Sequence, residues 1–589
     1  MSPSSPTPAT HTCAQCTSTF VIHPDEEAFL EKMAYTFNGK KIVLPLPVHC
    51  PDCRAQIRTC HRNERFLYKT RSAFSGKDTV SLYHEKPLWG EPYAVYTQEE
   101  WRSDAWDPLS YGRPFDFNRG FFEQWKELHK AVPRMALISI GNENSNFTTG
   151  TGYCKNCYLI NSSEYCEDCY YGKLMQSSKS SVDCSYLYNS ELCYECFSVY
   201  DSWNCHFLAW STNCQDCVFS AGLKGCKNCC LCTNLDHKEY HFQNEPLSKE
   251  EYEQRLASFR GNYERTEQMK SLWKHMMSGM IHKYGNLVNC ENCTGDYVEN
   301  SRNCLDCYDV NESQDCHYVQ VGVNVKDNVD CSNMYLKPEL CYHTLGTIEA
   351  YHCAYCLFVF HSQDLLYCEY CFNCSDCFAC SGLTHKKYCI FNAQYSKEEY
   401  EELVPRIIEH MKKDGSAPNQ SQGSGSGLAM NPSPQASGSW GQYFPPSVSP
   451  FGYNESLASE YFPLTEDQAR AKGFHWREKD ARDYMPQTCA FPTDIKEVQD
   501  TITQEVFACE SCRRNYRIIP QELAFYRQNL VPIPRHCPDC RYVGRLELRN
   551  PRKLWTRKCM KCEAELQTTY GPDRPETIYC EKCYLETIY

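Results

Sequence analysis

Twelve of the chain's 43 cysteines form six C-x2-C pairs toward its two ends. Cys13/Cys16 goes with Cys50/Cys53, Cys509/Cys512 with Cys537/Cys540, and Cys559/Cys562 with Cys580/Cys583. One C-x2-C turn presents two sulfurs at a corner. Two such turns close a tetrahedral thiolate shell around a zinc ion at about 2.3 Å and leave no position for water. Three structural zinc sites are therefore expected. The last set has 17 residues between its pairs, the spacing of a zinc ribbon, while the other two have 24 and 33, with room for short helices after Pro24 and Pro520. Four thiolates also suit a mononuclear iron, so rubredoxin-like electron transfer stands as an alternative. Zinc is the commoner occupant of multiple all-cysteine ribbons. The bland reading of each set is a redox dithiol or a buried free thiol. His49 and His536, each preceding a CPDC pair, read as surface histidines or as supports for the metal ligands.

The elements that must position these pairs are duplicated. Pro45–Arg54 (PLPVHCPDCR) returns as Pro532–Arg541 (PIPRHCPDCR) at an offset of 487. Arg54, Arg58, Arg62, Asn63, Arg65 and Leu67 find counterparts in Arg541, Arg545, Arg549, Asn550, Arg552 and Leu554. At the same offset Cys559 and Cys562 fall on Ser72 and Ser75, and after a four-residue shift Cys580 and Cys583 fall on Thr97 and Glu100. This predicts an N-terminal module of one zinc ribbon followed by a metal-free, degenerate ribbon over residues 1–135, and tandem intact ribbons over 501–589.

The 31 remaining cysteines are an odd number and cannot all pair as intramolecular disulfides. Cys193, Cys205, Cys217 and Cys229 recur every 12 residues, interleaved with aromatic, Ser and Asn residues. No helical period gives that interval. Small buryable side chains with turn-forming Asn, Asp and Ser suit stacked coils, each covering its neighbour. A solenoid-like β body is expected, with its thiols either lining a narrow core or holding further metal. The body is itself double: Cys226, Cys229, Cys232 and Ser248–Tyr252 recur 148 residues later as Cys374, Cys377, Cys380 and Ser396–Tyr400. Ser with Glu three residues on opens a helix in each copy. The first is followed by an amphipathic helical segment, 248–284, which Gly261 divides.

The net charge of −14 argues against an overall cationic nucleic-acid or membrane binder. Residues 509–583 are locally basic, with fifteen Lys/Arg against nine acids. Arg541, Arg545 and Arg549 are four apart and would line one helix face ended by Pro551; Arg54, Arg58 and Arg62 repeat the arrangement. Such a face suits phosphate, so nucleic acid or a ribonucleoprotein is an expected partner. The competing reading is ion pairing to the acidic body, which leaves a protein-interaction platform. No nucleotide-binding Gly-rich loop, HExxH, GxSxG or deaminase-type motif occurs, so no catalytic residue is expected.

Between Asp414 and Pro450, Gly, Ser and Pro fill 21 of 37 positions, which predicts a disordered linker over 414–458. The expected order is thus 1–135, cysteine-rich unit 136–247, helices 248–284, second unit 285–413, linker 414–458, a connecting segment 459–500, and 501–589. The first twelve residues have neither a basic start nor an apolar stretch, and no apolar run spans a membrane, so a cytoplasmic protein with reduced thiols is expected. The fold class is mainly β and multidomain, with terminal zinc ribbons flanking a duplicated cysteine-rich, solenoid-like body with amphipathic helices. The CPDCR pairs with their Arg/Asn segments, Cys226–Tyr252, Cys374–Tyr400 and Cys559–Tyr584 together resemble a group of uncharacterised bacterial zinc-ribbon proteins. The resemblance implies the metal assignment and architecture, and it implies no activity.

Overall fold

The structure, a computed structural model, describes residues 9–414, 438–478 and 484–588. It is mostly β, with large parallel sheets and twelve α-helices among the described residues. Its chain contacts divide it into two compact units. One comprises 1–136, 285–478 and 552–554; the other comprises 137–284, 479–551 and 555–589. The N-terminal module thus shares a unit with the second cysteine-rich segment, and most of the C-terminal module with the first.

Within the second unit, strands from Ser139–Ile140 to Glu239–Phe242 follow one another in a parallel sheet, closed by the antiparallel strand Glu245–Pro246. The register advances by the sequence period: Asn161 pairs with Lys173, Lys173 with Ser185, and Ser185 with Phe197. Within the first unit, two sheets of seven and nine strands run along 287–394, parallel except for the last strand, Ala393–Gln394. Tyr308 pairs with Gln320 and Arg302 with Gln314. One extra residue enters between Lys326 and Glu339, where Leu336 and Lys337 both take left-handed backbone.

Left-handed backbone recurs every third residue through these segments, for example at Tyr153, Asn156, Leu159, Ser162, Tyr165 and Asp168. That conformation costs an L-residue about 1–2 kcal/mol, less for Asn and Asp, which accounts for the composition between the cysteines. Backbone ladders and a closely packed interior offset the cost. One interior gathers Cys154 through Cys232 around Ile160, Met175, Leu187, Val199 and Leu208, and the other gathers Cys304 through Cys389. Both cysteine-rich segments end in a capping-box helix, Lys249–Ala257 from Ser248 and Lys397–Met411 from Ser396. A second helix, Tyr263–Gly279, follows only the first. Gly261 divides the pair at φ +85°, where a Cβ would meet Ile495 at 3.0 Å.

The linker expectation needs correction over 438–458. Trp440, Tyr443, Phe444, Phe451 and Tyr453 are buried there, and Trp440 and Phe444 pack on Tyr367. Five aromatic anchors outweigh a Gly/Ser/Pro-rich composition. Residues 415–437 of that segment lie outside the described residues.

Candidate metal centres

Each expected set of four cysteines is brought together. In all three, the four sulfurs lie within 4.8 Å of one another: Cys13, Cys16, Cys50 and Cys53; Cys509, Cys512, Cys537 and Cys540; Cys559, Cys562, Cys580 and Cys583. These are the tight clusters of three or more metal-ligating side chains among the described residues.

Local sequence explains the geometry. Cys13 and Cys16 sit in the turn joining Ala9–Thr12 to Thr19–Ile22, tightened by Thr17 N–H donating to Cys13 O at 3.0 Å with Thr17 in left-handed backbone. The turns at Cys509 and Cys559 are built alike, with Arg513 and Glu563 in the left-handed position. The partner cysteines Cys50 and Cys537 cap helices Pro51–Thr59 and Pro538–Leu546, each with proline in its first turn. The sulfurs of Cys16 and Cys50 are 3.7 Å apart, those of Cys512 and Cys537 3.6 Å, and those of Cys562 and Cys580 3.7 Å. A tetrahedron with bonds of about 2.3 Å has edges of about 3.8 Å. Backbone donors also point at sulfur, Cys537 N–H to Cys509 Sγ and Cys580 N–H to Cys559 Sγ, each at 3.2 Å. Burial pushes the thiols of Cys509 and Cys559 up, but these and neighbouring N–H donors outweigh it and bring both down to about 6. The residues fit a metal ion held by four thiolates.

The other cysteines are arranged differently. Those of the two interiors each donate to backbone carbonyls, as Cys196 Sγ does to Cys205 O at 3.2 Å and Cys226 Sγ to Leu235 O at 3.3 Å. They are buried, and some also meet neighbouring thiols, as Cys154 meets Cys157 and Cys166.

The six arginines expected to face nucleic acid do not form an exposed stripe. Arg54 and Arg58 are 1% and 0% exposed, Arg541 and Arg545 6% and 2%, Arg62 is buried, and Arg549 is half-buried against the Tyr186 ring, 4.4 Å from its centroid. In the first unit, Arg54 Nε lies 2.5 Å from Asp330, with Glu26 at 4.0 Å, and Arg58 Nε donates to Ser332 at 3.0 Å. Arg62 pairs with Glu64 at 2.6 Å. In the second unit, Arg541 meets Asp183 at 3.1 Å and Glu522 at 3.3 Å, while Arg545 meets Asp183 at 3.1 Å and Glu195 at 3.6 Å. A spacing of four fixes which residues share a helix face, and here that face packs on the cysteine-rich segment. His49 is likewise buried rather than at the surface, and burial lowers its pKa.

One surface feature of the second unit escaped sequence reasoning. A cleft of about 400 Å³ opens between helix Tyr263–Gly279 and residues 531–548, lined among others by Lys270, Trp273, Lys274 and Arg535. Trp273 Nε1 and Arg535 Nε are buried there without acceptors. Trp273 belongs to the amphipathic segment 248–284, where an indole's packing and its hydrogen-bonding need look alike in sequence.

No family model matches the chain, and no curated protein matches it. Among solved structures, a similarity is found to a "putative acetyltransferase" from Desulfovibrio desulfuricans G20, at 9% identity, over 41% of this chain and 64% of that one. The chain therefore spans less than two-thirds of that protein, and with a TM-score of 0.11 the likeness carries no argument. No helix among the described residues is long and apolar enough to cross a membrane.

Proposed function

We propose that this is a non-enzymatic, zinc-binding scaffold that serves as a protein-interaction platform, with terminal ribbons held by structural zinc against a duplicated β-solenoid body. The observation that carries the reading is the inward turn of the arginines. Cations that could have met phosphate are spent tying the terminal modules to buried acids, Arg54 to Asp330 and Arg541 to Asp183. The 12-residue register of the second unit's large sheet supports a solenoid. Closed four-sulfur shells support zinc with a structural role, and zinc is favoured over iron as the usual occupant of several all-cysteine sites in one chain. Cores full of unpaired thiols fit a reducing, cytoplasmic setting. The cleft beside Trp273, lined by Lys270, Lys274 and Arg535, suits an acidic segment of a partner protein.

Elemental analysis of the intact protein, with RNA and DNA binding measured across a salt series, tests this. Three zinc per chain and no steeply salt-dependent nucleic-acid binding are expected. Strong visible absorption from bound iron, or tight binding that collapses between low and physiological salt and weakens in R541A/R545A, would overturn it.

A further inference from the structure

The hairpin Tyr68–Arg71/Asp78–Ser81 precedes the hairpin Trp555–Lys558/Glu565–Thr568 by 487 positions, strand for strand. Every cross-strand pair of the first, from Tyr68↔Ser81 to Arg71↔Asp78, maps onto a pair of the second, from Trp555↔Thr568 to Lys558↔Glu565. The turns agree as closely. Ser72 N–H donates to Lys77 O and Gly76 N–H to Ser72 O, both at 2.8 Å; Cys559 N–H donates to Ala564 O and Glu563 N–H to Cys559 O, also at 2.8 Å. Gly76 and Glu563 are both left-handed, with φ +75° and +63°. A third strand arrives at the same point in each: Ala73 N–H meets Val95 O at 2.8 Å, and Met560 N–H meets Ile578 O at 3.0 Å. Ser72, Ser75, Thr97 and Glu100 therefore stand where Cys559, Cys562, Cys580 and Cys583 stand.

We infer that residues 68–100 form a fourth ribbon-type lobe in which hydrogen bonds among Ser72, Ser75, Thr97 and Glu100 take the place of the metal ion. The Glu100 carboxylate is the hub. It accepts from the Ser72 hydroxyl and from Thr97 N–H at 3.0 Å, and Thr97 Oγ1 accepts from Glu100 N–H at 3.2 Å. Ser72 Oγ in turn accepts from Phe74 and Ser75 N–H at 3.1 and 3.3 Å, closing the turn that a cysteine sulfur closes at Cys559. Desolvation raises the Glu100 carboxyl, but the bonds from Ser72, Ser75 and Thr97 outweigh it and hold it at about 2. Three neutral hydroxyls and one carboxylate are a poor set for a zinc-type ion, which prefers thiolate or imidazole. The N-terminal module thus keeps one lobe whose shape is independent of metal supply, while its duplicate lobe in the tail is not.

The inference rests on the zinc reading only for that contrast, and hydrogen exchange of the full-length protein before and after a zinc chelator separates the two. Exchange across 555–583 is expected to speed at least about tenfold on chelation while 68–100 holds within about twofold. Equal loss of protection in both segments overturns the inference. Should chelation leave 555–583 unchanged, the zinc reading fails, and Glu100→Ala decides: faster exchange confined to 68–100 supports the hub, and no change overturns it. In a second arm, a folded S72C/S75C/T97C/E100C variant is expected to bind four metal equivalents instead of three. Three equivalents in that folded variant would mean that the lobe lacks the geometry of a metal ribbon.

Discussion

The Arg541 guanidinium lies 3.1 Å from the Asp183 carboxylate, with both side chains closed off from solvent. Arg54 and Asp330 repeat the relationship in the other unit at 2.5 Å. Each arginine is flanked by a glutamate from the helix that follows the first cysteine pair, Glu522 or Glu26. Each neighbour four residues on, Arg545 or Arg58, reaches a serine two positions beyond the aspartate, Ser185 or Ser332. One docking device has therefore been kept in both copies.

Breaking that device leaves a buried carboxylate without its main counter-charge. Arg541→Ala is expected to destabilise the second unit by about 3–5 kcal/mol. Urea unfolding followed by tryptophan fluorescence reads the change. A loss under 1 kcal/mol, as for an ordinary exposed ion pair, would place the arginine outside the folding core.

Cysteines of the two kinds respond differently to replacement. Cys512→Ser should lower bound metal from three equivalents to two. Cys229→Ala should leave metal content unchanged and cost on the order of 1 kcal/mol, since Cys229 is wholly buried, donates to the carbonyls of Lys227 and Lys238, and also meets the neighbouring Cys217 and Cys226 thiols of the interior. Elemental analysis with unfolding curves distinguishes the pair. Metal loss from Cys229→Ala would make the interiors metal sites.

Chelation should act on the ends of the chain first. With metal withdrawn, the twelve clustered thiols are expected to react promptly with a thiol reagent, whereas the interior thiols wait for global unfolding. A reagent titration with and without chelator gives both numbers. Prompt reaction well beyond twelve thiols would mean that the cysteine-rich body also depends on metal.

Acid should weaken the fold through its buried histidines. Burial holds His61, His129 and His282 down to about 4 and His206 to about 3. An unfolded histidine titrates near about 6.5, so between that value and about 4 the unfolded chain binds more protons than the folded one. The stability these groups retain above pH about 6.5 is therefore lost progressively as pH falls toward their folded values. His206→Gln should flatten the pH dependence of the urea midpoint between pH 7 and 5 by up to about one proton's worth. An unchanged slope would mean that His206 takes up its proton as readily in the folded protein as in the unfolded chain.

Much of this was legible in the sequence because it was written in spacing. The C-x2-C pairs located all twelve clustered cysteines, the 487-residue offset the matching hairpins, and the 12-residue interval the strand register. Ser248 and Ser396 marked the helix starts that the backbone uses. Partner choice was not legible. Arg54, Arg58, Arg541 and Arg545 sit on helix faces that spacing identifies, but the acids receiving them lie hundreds of positions away, so an outward cationic stripe and an inward docking face have the same sequence signature. The aromatic residues from Trp440 to Tyr453 were likewise masked by the glycine, serine and proline around them.

The Arg58–Ser332 contact joins residues 274 positions apart. A ribosome adding about 5–20 residues per second would emit the first of them on the order of 15–55 s before the second. During that interval the N-terminal guanidinium groups are out of the tunnel with no carboxylate to receive them, and the first cysteine-rich segment waits still longer for the tail. Synthesis thus passes through a prolonged stage in which both docking faces are open, the stage at which a chaperone, or a premature encounter between nascent chains, would have its opportunity.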